Sequence, residues 1–362
     1  MKTVGLITLH RWYNYGSMLQ AYAGNQLLND LGYDCELIDY TPPKIDNHRS
    51  YKLYNDDEQW NDLREKYKVE ISNRKKNFER FMKLYKCSKE AYSSDEELVE
   101  KLPRYDAYVT GSDQIWNVNM RIASKAYFLH FTLNPMKFAF STSIGRCKED
   151  KLIEYKTYIQ KYRKIYMREE EGCQLIRHMC PEIEIGEMID PTLILEMEKW
   201  NKIVPSKRLI SQDYIACYAT LDDELDAMMP ILREIGKTKN MPIVLFGMVL
   251  PREEEGIINV VEAGPFEFIQ IIRDAELLLT HSFHGTAFAL NFNTPFLTYN
   301  DQLENPRKEG ILKKVGLSDR IIHNKEEMIK IINNPVDFSN ANTILKRERE
   351  KAKREIKTCL GE

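Results

Sequence analysis

Several features that commonly announce a function are missing from this chain. No apolar run approaches the ~20 residues needed to cross a bilayer. The opening residues "MKTVGLITLHRW" hold neither a long apolar stretch nor a small-residue cleavage site, so a secretory signal is not expected and a cytoplasmic location is. Charge of one sign is scarce as well: 52 basic residues against 55 acidic ones leave a formal net charge of -3. That balance gives no support to nucleic acid as the partner, and an anionic ligand would have to be held by a local site. The 7 cysteines (Cys35, Cys87, Cys147, Cys173, Cys180, Cys217 and Cys359) are scattered and form no Cys-x-x-Cys pair. Zinc and redox motifs are therefore not indicated, and reduced thiols are expected. There is no Ser–His–Asp pattern and no His-x-x-x-His pair. Internal repeats and low-complexity segments are lacking too.

What is present is an alternation of strand and helix. At 362 residues and 43% hydrophobic content, two domains are the natural division. "TVGLITL" (3–9) reads as a buried strand, "SMLQAYAGNQLLNDLG" (17–32) as a helix closed by glycine, and "CELIDY" (35–40) as the next strand. Residues 51–100, rich in charge and aromatics, read as a solvated helical excursion. Strands resume at 105–112, 137–144 and 164–169, and "EIGEMIDPTLIL" (184–195) closes the first half, broken at Asp190-Pro191. A polar connection over 201–213 leads to a second set of strands and helices. The expected architecture is α/β, with a Rossmann-like domain over 1–200, a second over 209–337, and a helix over 338–362 that packs back on the first domain. Such a pair places its ligands in the cleft, beyond the carboxyl ends of the strands.

Candidate site residues follow from that rule. In "ELLLTHSFHGTAFALNFNTPFLTY" (276–299) an apolar strand hands over to a helix at two histidines. Ser282 is placed to cap the helix, whose free N–H groups form an anion site together with Phe283 and Gly285. His284, in the first turn, is the candidate acid–base group, because the helix dipole favours a neutral imidazole there. A buried histidine satisfied by a carbonyl is the plainer reading of the same position, and His281 fits a simple strand-end histidine. The loop "TGSDQIWN" (110–117) carries Asp113, Gln114, Trp116 and Asn117. Capping side chains explain part of it, while a tryptophan beside amides suits sugar recognition. Asn14, Tyr15, Gly16 and Ser17 join the first strand to the first helix, yet one glycine is a poor match to a G-x-G-x-x-G phosphate loop. Arg168, at the end of "KIYMR", reads either as a cation facing the cleft or as part of a surface salt bridge.

Taken in order, "YNYGSMLQAYA", "YDAYVTGSDQIWN", "FAFSTSIG", "YMREEEG", "DPTLIL" and "SFHGTAFALNFNTPF" resemble the polysaccharide pyruvyl transferase family. The resemblance spans nearly the whole chain. It implies a GT-B-like pair of domains and transfer of a pyruvyl group from phosphoenolpyruvate to a saccharide as a cyclic ketal, with release of phosphate. The acceptors it implies are lipid-linked precursors of capsule, exopolysaccharide or secondary cell-wall polymer. Phosphoenolpyruvate serves as co-substrate, and no cofactor or metal is expected. On this basis His284 is the catalytic acid–base group; Arg168, Ser282, Phe283, Gly285 and Arg307 face the donor. Asn14, Tyr15, Gly16, Ser17, Asp113, Gln114, Trp116 and Asn117 face the acceptor. One departure concerns Ser282, which stands where the resemblance implies an arginine; another is His281, where an aspartate is implied. Two rival functions share the architecture: a GT-B glycosyltransferase using a nucleotide sugar, and a non-catalytic scaffold in polysaccharide assembly. The basic face of "KREREKAKREIK" (346–357) offers a peripheral contact with the inner face of a membrane, although such alternating charge more commonly marks a solvated helix.

Overall fold

The computed structural model describes residues 1–43, 51–55, 57–300 and 306–361. Its strands form two parallel sheets. The first contains β1 (Thr3–Ile7), β2 (Asp34–Tyr40), β3 (Cys87–Tyr92), β4 (Ala107–Thr110), β5 (Lys137–Thr142), β6 (Lys164–Met167) and β7 (Glu184–Glu187), in the order β3-β2-β1-β4-β5-β6-β7. The second contains β8 (Ile215–Ala219), β9 (Ile243–Gly247), β10 (Ile257–Asn259), β11 (Leu277–Thr280), β12 (Phe296–Tyr299) and β13 (Ile321–Ile322), in the order β10-β9-β8-β11-β12-β13. The two orders are the same through six strands. Each sheet therefore reverses direction once, between β1 and β4 or between β8 and β11, and a crevice opens at the carboxyl ends of those strands. Central strands such as β8 and β9 are buried along their whole length, which explains their unbroken apolar runs.

The stretch 51–100 differs from the solvated excursion its composition suggests. It contributes the edge strand β3, whose half-exposed position tolerates the polar sequence "CSKEAY". Its helix Lys68–Met82 buries Arg74, Phe78 and Phe81. Arg74 donates to the carbonyls of Gly247 (2.8 Å) and Val261 (3.2 Å) in the second domain, and its guanidinium lies over the rings of Tyr15, Tyr51 and Phe78. A charge-rich helix thus joins the domains by spending its one buried cation on carbonyls and aromatic faces.

The largest apolar cluster runs through both domains rather than lying inside one. Tyr15 stacks on Phe268 at 5.2 Å and its hydroxyl donates to Ala263 O at 2.7 Å; Trp200 meets Phe288 edge-on at 4.9 Å. The C-terminal helix Ser339–Leu360 fastens the pair. Arg349 donates to Leu193 O in the first domain (2.8 Å) and to Asn291 Oδ1 in the second (2.9 Å), and Lys353 pairs with Glu196. Much of the tail's charge is spent on these contacts with the protein itself. Among the described residues no helix is long and apolar enough to cross a membrane.

Candidate active site

A cavity of about 210 Å³ opens between the sheets, at both reversal points. After β1 come Leu9, Trp12, Asn14 and Ser17; after β4, Asp113, Gln114 and Met120. The second domain supplies Thr220 and Glu224 after β8, the corner His281–His284 after β11, and Arg307. The local sequence dictates the corner. Thr280 ends the strand, and its hydroxyl accepts from Ser282 N at 3.0 Å while donating to Tyr218 O. Ser282 then caps helix Phe283–Phe292 through Gly285 N. Gly285 packs so closely on Thr280 that a β-carbon there would lie 2.7 Å from its hydroxyl.

His284 is 8% exposed and crosses to the first domain. A β-carbon added at Gly16 would come within 2.6 Å of its Cγ and Cε1, and closer still to Nδ1. Gly16 is required here as empty space for the imidazole, not as a phosphate loop. The other ring nitrogen, Nε2, has no hydrogen-bond partner among the described residues and stands 3.9 Å from Asp190 Oδ2. Burial pushes the His284 pKa below its ordinary value, against the opposing pull of Asp190 and Asp113. The free ring is neutral at pH 7.

Two arginines complete the cluster. Arg168, 5% exposed, donates from Nη1 to Asp190 Oδ2 at 2.8 Å. Among the described residues its Nε and Nη2 make no hydrogen bond; they stand 4.0 Å from Glu169 Oε2 and Asp113 Oδ1 respectively, and this side-on edge is the one suited to two oxygens of a single anion. Arg307 comes from helix Pro306–Val315, which the fully buried Lys308 anchors by donating to the carbonyls of His281 (3.1 Å) and Tyr299 (2.6 Å). With its amide oxygen turned to the guanidinium, Gln114 accepts from Arg307 Nη1 at 3.0 Å and Nη2 at 3.2 Å. Both guanidiniums lie over the Phe283 ring, at 4.8 Å for Arg168 and 6.0 Å for Arg307. Burial and the neighbouring Arg168 push the Arg307 pKa down to about 10. Glu169 is buried with Oε1 bonded to Ser143 and Ile144 N, while Oε2 makes no hydrogen bond among the described residues and stands 4.0 Å from Arg168 Nε; burial pushes its carboxyl up.

Asp190 balances this charge. Burial opposes its ionisation, but Arg168 and His284 outweigh that and hold its pKa at about 2. Its oxygens also accept from Ser112 Oγ (2.8 Å) and from Thr192 N and Oγ1. Asp113 sits at φ 77, a left-handed conformation uncommon for aspartate. There its carboxylate accepts from Ser17 Oγ at 2.6 Å and from Gln114 N at 2.8 Å. Both acids spend their lone pairs within the protein. Among the described residues the buried groups of this cluster without a hydrogen bond are the Arg168 edge, His284 Nε2 and Glu169 Oε2, and of these the guanidinium edge suits an anion.

The structure therefore gathers His284, Arg168, Arg307, Phe283, Asp113, Gln114, Gly16 and Ser17 into one cluster. Asn14 acts as the cap of helix Tyr15–Asp30, accepting from Ser17 N at 3.1 Å, and Asn117 lies against Gln114. Two residues read from the sequence as facing a sugar stand elsewhere. Trp116 is fully buried, stacked on Phe128 at 5.1 Å with its N–H donating to Tyr127 O, and Tyr15 lies in the interdomain core. Their rings fill packing space rather than the cavity. Sequence reasoning passed over Asp190, Glu169, Glu224 and Trp12. Asp190 carried a signal as the acid of an Asp-Pro helix start, where it is indeed the cap. Among the described residues one set of atoms has metal-ligand proximity, that of His10, Asp39 and Cys87. Arg11 occupies both Asp39 oxygens there, which spends the carboxylate on an ion pair.

Solved structures resembling the chain over its whole length include S. aureus MnaA in a co-structure with UDP (TM-score 0.59, 10% identity, 99% of this chain and 97% of that one). The UDP-N-acetylglucosamine 2-epimerase from Rickettsia bellii is similar (TM-score 0.55, 14% identity, 99% and 96%). So is the UDP-GlcNAc 2-epimerase from Neisseria meningitidis bound to UDP-GlcNAc (TM-score 0.54, 11% identity, 99% and 99%). At these identities the likeness establishes the fold, which is GT-B. No curated protein sequence gives a significant match. The family model for polysaccharide pyruvyl transferase matches residues 14–301, a span that runs from the cap of the first helix past the histidine corner and β12, and the chain belongs to that family.

Proposed function

We propose that the protein transfers pyruvate from phosphoenolpyruvate to a saccharide as a cyclic ketal, releasing phosphate. The observation that carries this reading is the buried set of unsatisfied groups around Phe283: the open edge of Arg168, Arg307 beside it, and His284 Nε2. Two neighbouring guanidiniums offer donors to two anionic groups, and phosphoenolpyruvate supplies a phosphate and a carboxylate three bonds apart. Arg307 takes over the place where the family resemblance implies an arginine at Ser282, and Ser282 serves as the helix cap.

In the proposed reaction the bound anion charges His284, which delivers a proton to the methylene carbon. Positive charge then develops at C2, a saccharide hydroxyl adds there, and phosphate leaves with the electrons of its C–O bond. The second hydroxyl closes the ketal. General acid–base catalysis of this kind typically contributes ~10²–10⁴-fold. The protein's own cations and N–H groups bear the charge throughout, so the proposal invokes no cofactor. We place the reaction in the cytoplasm, at the inner membrane face when the acceptor is a lipid-linked precursor of capsule or exopolysaccharide.

The test is phosphate release from phosphoenolpyruvate with galactose-, mannose- and glucosamine-type acceptors, lipid-linked ones included. Release that depends on the acceptor, with a product heavier by one ketal-linked pyruvate, is expected. Release that is absent with every acceptor, together with turnover of UDP-GlcNAc, would instead favour a nucleotide-sugar enzyme.

A further inference from the structure

The cavity has a second wall that the donor does not need. Lining the same cavity as the arginine cluster, Glu224 and His281 stand together, with Oε1 of the carboxylate 3.0 Å from the ring's Nδ1. Glu224 is fixed from its other side: Oε2 accepts from Thr220 Oγ1 (2.9 Å), Leu221 N (3.2 Å) and Thr220 N (3.4 Å) at the start of helix Asp222–Lys239. Burial opposes its ionisation, yet the bond to His281 prevails and its pKa is lowered. A carboxylate accepting at Nδ1 holds a proton on that nitrogen, which leaves Nε2 as the nitrogen to exchange a proton with a ligand. The ring backbone is fixed too, since the buried Lys308 holds the His281 carbonyl. Trp12, partly exposed, lines the same cavity from the first domain. An amphipathic indole face beside a carboxylate and an imidazole is chemistry suited to a sugar ring with its hydroxyls.

The geometry points to this wall as the acceptor subsite, with His281 as the catalytic base for the attacking hydroxyl and Glu224 as its positioning residue. The inference rests on the ketal-forming function proposed above. Its chemical reason is proton traffic. One group must give a proton to C3 while another removes one from the hydroxyl, and a single imidazole cannot do both in one step. With two imidazoles the balance closes. His284 protonates C3, and His281 Nε2 takes the proton as the first hydroxyl oxygen bonds to C2. Phosphate departs with its bonding electrons and takes up the proton from His281. The second hydroxyl then bonds to C2 and returns its proton to His284.

The variants His281→Ala, Glu224→Gln and Trp12→Ala in the full chain provide the test, with phosphoenolpyruvate binding followed separately by thermal shift. His281→Ala is expected to bind phosphoenolpyruvate as the wild type does, to lose about 10²–10⁴-fold in kcat, and to recover part of it with added imidazole. Glu224→Gln should show a smaller fall in kcat with KM for phosphoenolpyruvate unchanged, and Trp12→Ala a rise in KM for the saccharide. Wild-type kcat in His281→Ala would overturn the assignment, and so would loss of phosphoenolpyruvate binding without imidazole rescue. Should the wild type release no phosphate with any acceptor, the ketal-forming function fails and the subsite is read by binding alone. A saccharide that stabilises the wild type but not Trp12→Ala or Glu224→Gln then supports the subsite, while equal stabilisation of all three, or of none, overturns it.

Discussion

Gly16 and His284 come from different domains, and the imidazole occupies the space that a side chain at Gly16 would fill. The first helix of one domain is thus cut away by one carbon to admit the His284 imidazole of the other. Proximity of the two domains is built into the site at this point, and the aromatic interdomain core keeps it there.

The variant Gly16→Ala separates site geometry from stability. Glycine in a helix ordinarily costs roughly 0.5–1 kcal/mol relative to alanine, and no unusual φ requires it here. Displacing a buried ring by overpacking costs about 1–3 kcal/mol, which outweighs that gain, so the melting temperature should fall modestly while kcat falls by about 10²–10⁴-fold. Thermal unfolding alongside steady-state kinetics checks this. Unchanged kcat would mean that the contact is incidental.

Binding of the donor should take up a proton. The free His284 ring sits below its usual 6.5 because of burial, so it is neutral at pH 7, and a trianion beside it favours the charged form. Affinity for phosphoenolpyruvate should then weaken as pH rises above neutrality. Calorimetry in buffers of different ionisation enthalpy measures the uptake, which His284→Gln should abolish. In the unliganded protein the sign is opposite. The unfolded chain binds this proton near pH 6.5 while the folded ring does not, so this group lowers stability as the pH falls.

Arg307→Gln should trade stability for function. Removing one of two neighbouring guanidiniums relieves repulsion with Arg168, so the unliganded protein should be as stable as the wild type or more so. Loss of a charge-assisted hydrogen bond of about 1.5–3 kcal/mol raises KM for phosphoenolpyruvate roughly 10–150-fold. Denaturant unfolding and kinetics report the two effects independently.

Asp190→Ala leaves Arg168 buried without its bonded counter-charge. Breaking a buried ion pair from one side costs roughly 3–5 kcal/mol, to be read from the denaturant midpoint. Asp190→Asn keeps acceptors for Ser112 and Thr192 and should cost less.

Much of this was legible in the sequence because strand ends are. The apolar run that stops at Thr280, a serine cap and a histidine two residues after it together mark the corner. The polar edge strand β3 was hidden because half of it faces solvent, so its composition carries no strand signal. Trp116 and Tyr15 show a different limit. A tryptophan just past a strand end reads the same whether its ring faces a cleft or Phe128, and only packing decides. Asp190 was seen as a chain breaker although it is the counter-charge of Arg168, because the 22 positions between them close only in the fold. Arg307 lies in an ordinary-looking helix start, and only the family resemblance brought it into view.

The most direct measurement is equilibrium binding of phosphoenolpyruvate and of UDP to the wild-type protein at pH 7 and low salt. If the cluster of Arg168, Arg307 and His284 is the donor site, phosphoenolpyruvate binds with proton uptake and UDP does not displace it. Tight binding of UDP with none of phosphoenolpyruvate would contradict that assignment.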